Sequence, residues 1–194
     1  MIIKCYFNIA FFALTSGALL LPLFLQSTIG VSTLLTALII LPITLLKALL
    51  NPIGSKFSKK VSSKNIGILG SILLIISCIP FVFFTVNINL YLVAILYIIR
   101  ITGLTLLLFP ILAYSLKGID SEEYTQGLSI INSNRQIVAA LGTTALLACA
   151  SFISPSGTVS IKGINLAFFI QLIIFIIALI ISIFFIKPKE NLEN

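Results

Sequence analysis

The side chains with the most capacity for chemistry are three cations set inside long apolar runs, Lys47, Arg100 and Arg135. No carboxylate shares those runs, because all five acids, Asp120, Glu122, Glu123, Glu190 and Glu193, fall in a short polar connection or in the C-terminal tail. Covalent or hydrolytic catalysis needs a nucleophile beside a base, a metal cluster or paired acids. The hydroxyls of Ser129 and Ser133 have no histidine or embedded lysine at helical spacing to activate them, and the chain contains no histidine at all. An enzyme is therefore not expected. Cys5, Cys78 and Cys149 lack CxxC spacing and lie in or beside apolar segments, where a thiol behaves as a small hydrophobe, so neither a metal nor another cofactor is implied.

What buried cations can do is bind or pair, and their depth separates the three. Lys47 lies a few residues from the end of its apolar run, so its stem can carry the ammonium to the membrane surface. Arg100 stands ten residues past Leu90, or about 15 Å into a helix at 1.5 Å per residue. Arg135 stands eight residues past Gly127, roughly 12 Å in. It belongs to a polar stretch, Ser129-Ile-Ile-Asn132-Ser133-Asn134-Arg135-Gln136. Helical spacing puts Ser129, Asn132, Gln136 and Thr143 on one side with Arg135 one position around, a face that cannot be left against lipid. Two readings of this stripe stand. Its groups can hydrogen-bond neighbouring helices, with Ala140, Thr144 and Ala148 allowing close packing; or Asn132, Arg135 and Gln136, with Arg100, can line a substrate cavity.

The elements that must hold these residues follow from composition. Hydrophobic residues make up 59% of the 194 positions and charged residues 9%, against roughly 25% charged in ordinary globular domains. Mean hydropathy is +1.23. Six apolar runs, 6–25, 31–50, 66–86, 90–116, 128–153 and 164–186, are continuous rather than alternating, which excludes a membrane β-barrel. The expected architecture is an all-α integral membrane protein, a single six-helix domain over residues 1–194. Lys4 ahead of the first run imitates a secretory signal, but the run is long and meets no A-x-A-like cleavage site, so it is read as a helix. The net charge of +7 is spread between apolar runs instead of forming a solvated basic face, so the lipid bilayer and not nucleic acid is the expected partner.

Lysine counts set the expected orientation, since basic residues resist translocation. Lys4, Lys56, Lys59, Lys60, Lys64, Lys117, Lys187 and Lys189 fall on one side, and only Lys162 on the other. That predicts a multi-pass protein of the cell membrane with both termini cytoplasmic. Pro22, Pro42, Pro80 and Pro110 lie within the runs, where proline frees a carbonyl and permits a hinge. The first three spans run opposite to the last three, and Leu19-Leu-Leu-Pro22 faintly echoes Leu107-Leu-Phe-Pro110, in agreement with a three-plus-three inverted repeat.

From about Pro22 to Ile186 the chain resembles the C-terminal half of a major facilitator superfamily transporter, in the drug:proton antiporter branch with about fourteen helices. Pro22-Leu-Phe-Leu-Gln26 with Gly30, followed by Leu41-Pro42, is similar to one segment of that branch. Pro52, Gly54, Lys56, Lys59, Lys60 and Lys64 resemble its short basic cytoplasmic loop, and Asn132-Ser-Asn-Arg135-Gln136 with Gly142 resembles its NTxRQxGGAxG segment. Departures accompany the likeness. The loop's acid position falls on Lys59 and its glycines on Ser55 and Ser62; a lysine cannot make the carboxylate's salt bridge, because the sign is inverted. Val138 and Ala139 replace the glycine pair, and the fourth helix keeps Gly103 without a glycine-rich run.

The resemblance implies multidrug efflux, and with it antibiotic resistance, by export of small amphipathic cations or lipophilic drugs, driven by inward proton movement, from a cavity between two six-helix halves of which this chain supplies one. Coupling needs a protonatable group within the membrane, and in this family such acids are largely carried by the N-terminal half. The chain alone is therefore not expected to perform proton-driven efflux. Its expected partner is an N-terminal transporter half or a second copy. The competing readings are a non-transporting membrane partner of another integral protein, favoured by the altered loop motif and missing acids, and an inactive transporter remnant.

Overall fold

The computed structural model describes residues 12, 15–60, 62–83, 89–115, 124–152 and 160–185, and they are helical almost throughout. In chain order the elements are α1, the apolar stretch Thr15–Ser27, then α2 (Thr33–Lys60), α3 (Ser63–Val82), α4 (Leu90–Ser115), α5 (Tyr124–Phe152) and α6 (Ile161–Phe185). Four stretches, Thr33–Leu50, Lys64–Val82, Leu90–Leu108 and Ile161–Phe184, are long and apolar enough to cross a membrane. With 29 residues α5 has the length as well, about 43 Å against a hydrocarbon core of about 30 Å, but it carries the polar stripe. The described part of α1 is shorter, and Cys5 lies outside the described residues.

Side-chain caps mark three helix starts. Ser32 Oγ accepts from Leu35 N–H at 3.3 Å, Asn89 Oδ1 from Tyr91 N–H at 2.9 Å and Ser160 Oγ from Gly163 N–H at 3.2 Å, each satisfying a first-turn donor that has no partner inside its helix. The end of α1 widens into a π-turn over Phe24–Thr28. Gly30 follows with φ at 76°, a conformation that side chains disfavour, while Val31 N–H bonds to the Leu25 carbonyl at 2.9 Å.

The C-terminal part of α2 differs from expectation. Sequence reading ends this span at residue 50 and makes Pro52 to Lys64 a loop, whereas α2 continues through Pro52, Gly54, Lys56 and Lys59 to Lys60. Leaving the bilayer does not end a helix, lysine is a good helix former, and membrane helices tolerate an internal proline.

Apolar surface gains nothing from leaving lipid, so these helices are held by close packing. Element α3 lies between α4 and α6, α2 packs on α4, α5 on α6, and the π-turn of α1 touches α2 and α6. Two glycines let α3 and α4 meet backbone to backbone: a Cβ on Gly70 would stand 2.8 Å from the Gly103 carbonyl oxygen, and a Cβ on Gly103 would stand 2.9 Å from that of Gly70. Gly163 likewise brings α6 against the Ala150 backbone of α5. Where α1, α3 and α6 converge, Phe81 stacks on Phe168 with centroids 4.8 Å apart, and Phe24 meets both edge-on at 6.1 and 6.5 Å. Leu34, Leu38, Leu41, Leu45 and Leu49 of α2 stay exposed at helical spacing, an apolar stripe suited to lipid or a further helical partner.

Candidate functional site

The deepest polar group is Arg100 of α4, only 1% exposed and among the largest fully buried side chains. Its guanidinium carbon lies 6.0 Å from the Phe168 ring centroid and 5.4 Å from that of Phe175, both on α6. Ring faces attract a cation but accept no hydrogen bond as strong as a carboxylate's. Gly17 of α1 touches the other side, and a Cβ there would stand 2.6 Å from Nε and 2.8 Å from Nη2. Gly17, Leu21, Phe81, Tyr97 and Phe168 pack around the guanidinium and leave no space for a water molecule. Burial at a depth of ten residues from Leu90 agrees with the sequence reading of this position; its aromatic surroundings were not legible there.

Phe168, Gln171 and Phe175 recur at spacings of three and four and share one face of α6. Gln171 is fully buried, and its Nε2 donates to Ser16 Oγ of α1. This interhelical bond pins α1 to α6 beside Arg100. On α3, Cys78 is fully buried and its thiol donates to the Phe168 carbonyl at 3.4 Å, in keeping with its reading as a small hydrophobe. Cys149 is partly buried, and among the described residues no group of His, Cys, Asp and Glu is placed to hold a metal ion.

The α5 stripe is placed elsewhere. Asn132 and Gln136 are exposed and Arg135 is partly buried; Arg135 Nη1 donates to Asn132 Oδ1 at 2.9 Å. The hydroxyls of Ser129, Thr143 and Thr144 donate to carbonyls of their own helix, at 2.9, 2.7 and 2.8 Å to Thr125, Ala139 and Ala140. Such local bonds satisfy a hydroxyl in an apolar setting without joining helices. Gln136, Ala139, Ala140 and Thr143 face Thr15, Ala18 and Leu19 of α1 across an open cleft of about 360 Å³. Lys47 of α2 is partly buried. The structure thus groups Asn132, Arg135 and Gln136 on the outer face of α5 and sets Arg100 apart, in the core on the far side of α1.

The expected hinge and packing residues divide as well. Pro22 lies in α1 two residues before the π-turn, Pro42 is exposed within α2, and α4 runs through Pro110. Gly103 makes the α3–α4 contact, and Gly142 of α5 meets the Phe12 ring. Of the basic motif, Pro52 is exposed in α2 and Lys64 is partly buried at the second position of α3. Sequence reading did not single out Gly17, Gly70, Gln171 or the two phenylalanines. Signals existed for two of them: Gly67 and Ser71 flank Gly70 in a small-xxx-small pattern, and Gln171 is the one amide between Leu166 and Phe185.

Comparison with known proteins adds an independent line. A family model described as the Major Facilitator Superfamily matches residues 1–143. The chain is 25% identical over 190 residues to the uncharacterized MFS-type transporter YcnB of Bacillus subtilis, covering 94% of this chain and 40% of that protein. It is 24% identical over 194 residues to the lincomycin resistance protein LmrB of Listeria monocytogenes, covering 93% of this chain and 41% of that one. The chain therefore spans about two fifths of the length of these relatives.

Proposed function

Since this chain belongs to the Major Facilitator Superfamily, a family of membrane transporters, we propose that it is one six-helix half of an efflux transporter of the drug:proton antiporter branch, completed by an N-terminal half or a second copy. The observation that carries this reading is the alignment of almost the whole chain to about two fifths of proteins two and a half times as long. Residues 1–194 would form one unit with an internal three-plus-three repeat, in the cell membrane, with both termini cytoplasmic. The cleft between α1 and α5 supports the reading: it is open, and Gln136 and Thr143 reach it from the most polar helix. A transport cavity needs a polar face that another unit can close, and the exposed Asn132 and Gln136 of α5 support that role for it. That the Listeria relative is a lincomycin resistance protein supports an antibiotic as the substrate class.

The chain's chemistry supports dependence on a second unit. No acid occurs among the described residues, so proton coupling would draw its carboxylate from elsewhere. A second reading, a non-transporting membrane partner, is favoured by Lys59 at the acid position of the loop motif. Ethidium accumulation in cells separates the two. Expression of the chain alone should leave accumulation unchanged, and co-expression with the N-terminal half of YcnB should lower it. Unchanged accumulation in both cases, with both proteins in the membrane, favours the second reading.

A further inference from the structure

Arginine keeps its charge at any physiological pH, so the guanidinium of Arg100 is a cation in the core of the bundle. Its Nε, Nη1 and Nη2 are all buried and reach no oxygen acceptor among the described residues; the weakly accepting sulfur of Cys78 stands within reach of the guanidinium. Nothing in the described chain carries the opposite charge, since all five acids lie outside the described residues; the titratable side chains beside it, Cys78 and Tyr97, are neutral. A buried charge in surroundings that exclude water is strongly disfavoured unless a counterion completes it.

The door is α1. Ser16, Gly17, Leu20 and Leu21 face the core, and Thr15, Ala18 and Leu19 face the open cleft of about 360 Å³ against α5. A shift of α1 into that cleft withdraws Gly17 and Leu21 from Arg100 without disturbing the α3–α4 and α3–α6 contacts. The links that must yield include the bond between Gln171 and Ser16 and the edge-on contacts of Phe24 with Phe81 and Phe168, and the π-turn with Gly30 beyond it gives α1 an end that can flex.

We propose that Arg100 is the seat of a binding site for an organic carboxylate between α1, α4 and α6, shut in this structure by Gly17. A guanidinium fork matches two carboxylate oxygens with two parallel N–H bonds, which favours carboxylate over a spherical halide. The walls, Leu21, Phe81, Tyr97 and Phe168, suit a ligand whose remaining body is apolar or aromatic. This assignment does not depend on transport, because the site is read from one chain and tested by binding alone.

The test is thermal unfolding of the purified full chain in detergent, with sodium benzoate as ligand and benzamide, its neutral isostere, as control. Benzoate should raise the midpoint and benzamide should not. R100Q should lose the benzoate response and be at least as stable as the unsubstituted chain without ligand, because an uncompensated charge has been removed. R100K keeps the charge but loses the fork, and should bind benzoate about tenfold or more weakly, the factor expected for one charge-assisted hydrogen bond. An unsubstituted chain indifferent to benzoate, an R100K protein that binds it equally well, or an R100Q protein less stable than the unsubstituted chain would each overturn the assignment.

Discussion

Replacing Gly103 with valine tests the α3–α4 seam on which the rest of the bundle is built. The first added carbon would meet the Gly70 carbonyl oxygen at 2.9 Å, Leu73 Cβ at 3.0 Å and Leu74 N at 3.2 Å. Two of these atoms are backbone and the third is a Cβ, so none can rotate away. Restoring ordinary carbon contact at about 3.5–4.0 Å requires α3 to withdraw by roughly 0.5–1 Å, which loosens its whole contact with α4. Overpacking of this kind costs about 1–3 kcal/mol. Against it stands the gain in helix propensity over glycine, up to about 1 kcal/mol for alanine and less for β-branched valine. G103A should therefore be mildly destabilising, by about 0–2 kcal/mol, and G103V clearly so, by about 1–3 kcal/mol. Unfolding in mixed micelles, followed by helical circular dichroism, reads both. The double variant G70A/G103A should lose less than the sum of its parts, because one displacement accommodates both methyl groups. A G103V protein as stable as the parent, or costs that add to within about 0.5 kcal/mol, would refute the backbone-to-backbone contact.

At the α5–α6 contact, G163A should destabilise more than G142A, since its new methyl meets the Ala150 backbone while that of Gly142 meets only the Phe12 ring, which can turn aside; the same unfolding assay decides. Q171L removes the bond between α6 and α1 and should cost about 0.6 kcal/mol and at most about 1.7, the mean and maximum for interhelical bonds in membranes. A cost near zero would show that α1 is not pinned there. In cells where the chain and an N-terminal half together confer drug tolerance, R135A should abolish tolerance with a normal amount of protein in the membrane; unchanged tolerance would remove Arg135 from the cavity.

Long apolar runs carry their own signal, which is why helix starts at 31, 90 and 164 are readable to within three residues of Thr33, Leu90 and Ile161. The end of α2 is not readable in the same way, because hydropathy reports where the bilayer ends and not where the helix does. Arg100 shows the same division at a single residue. Its depth follows from counting along the helix, but its company comes from α1 and α6, 68 to 83 residues away in sequence. Gly103 stands out as a small residue among leucines, yet only the fold reveals that its counterpart is Gly70. For the α5 stripe the residue types were plain; that its threonine hydroxyls turn back onto their own helix was not, since the same sequence permits either bond.

The most direct test of a multi-pass bundle with its basic side in the cytoplasm is cysteine labelling in intact cells. With Cys5, Cys78 and Cys149 replaced by alanine, single cysteines are placed at Asn89, which caps α4, and at Ser62, between α2 and α3. A membrane-impermeant maleimide should tag N89C from outside and reach S62C only after permeabilisation. Tagging of S62C in intact cells, or of neither site before permeabilisation, would contradict the orientation on which the proposed transporter half rests.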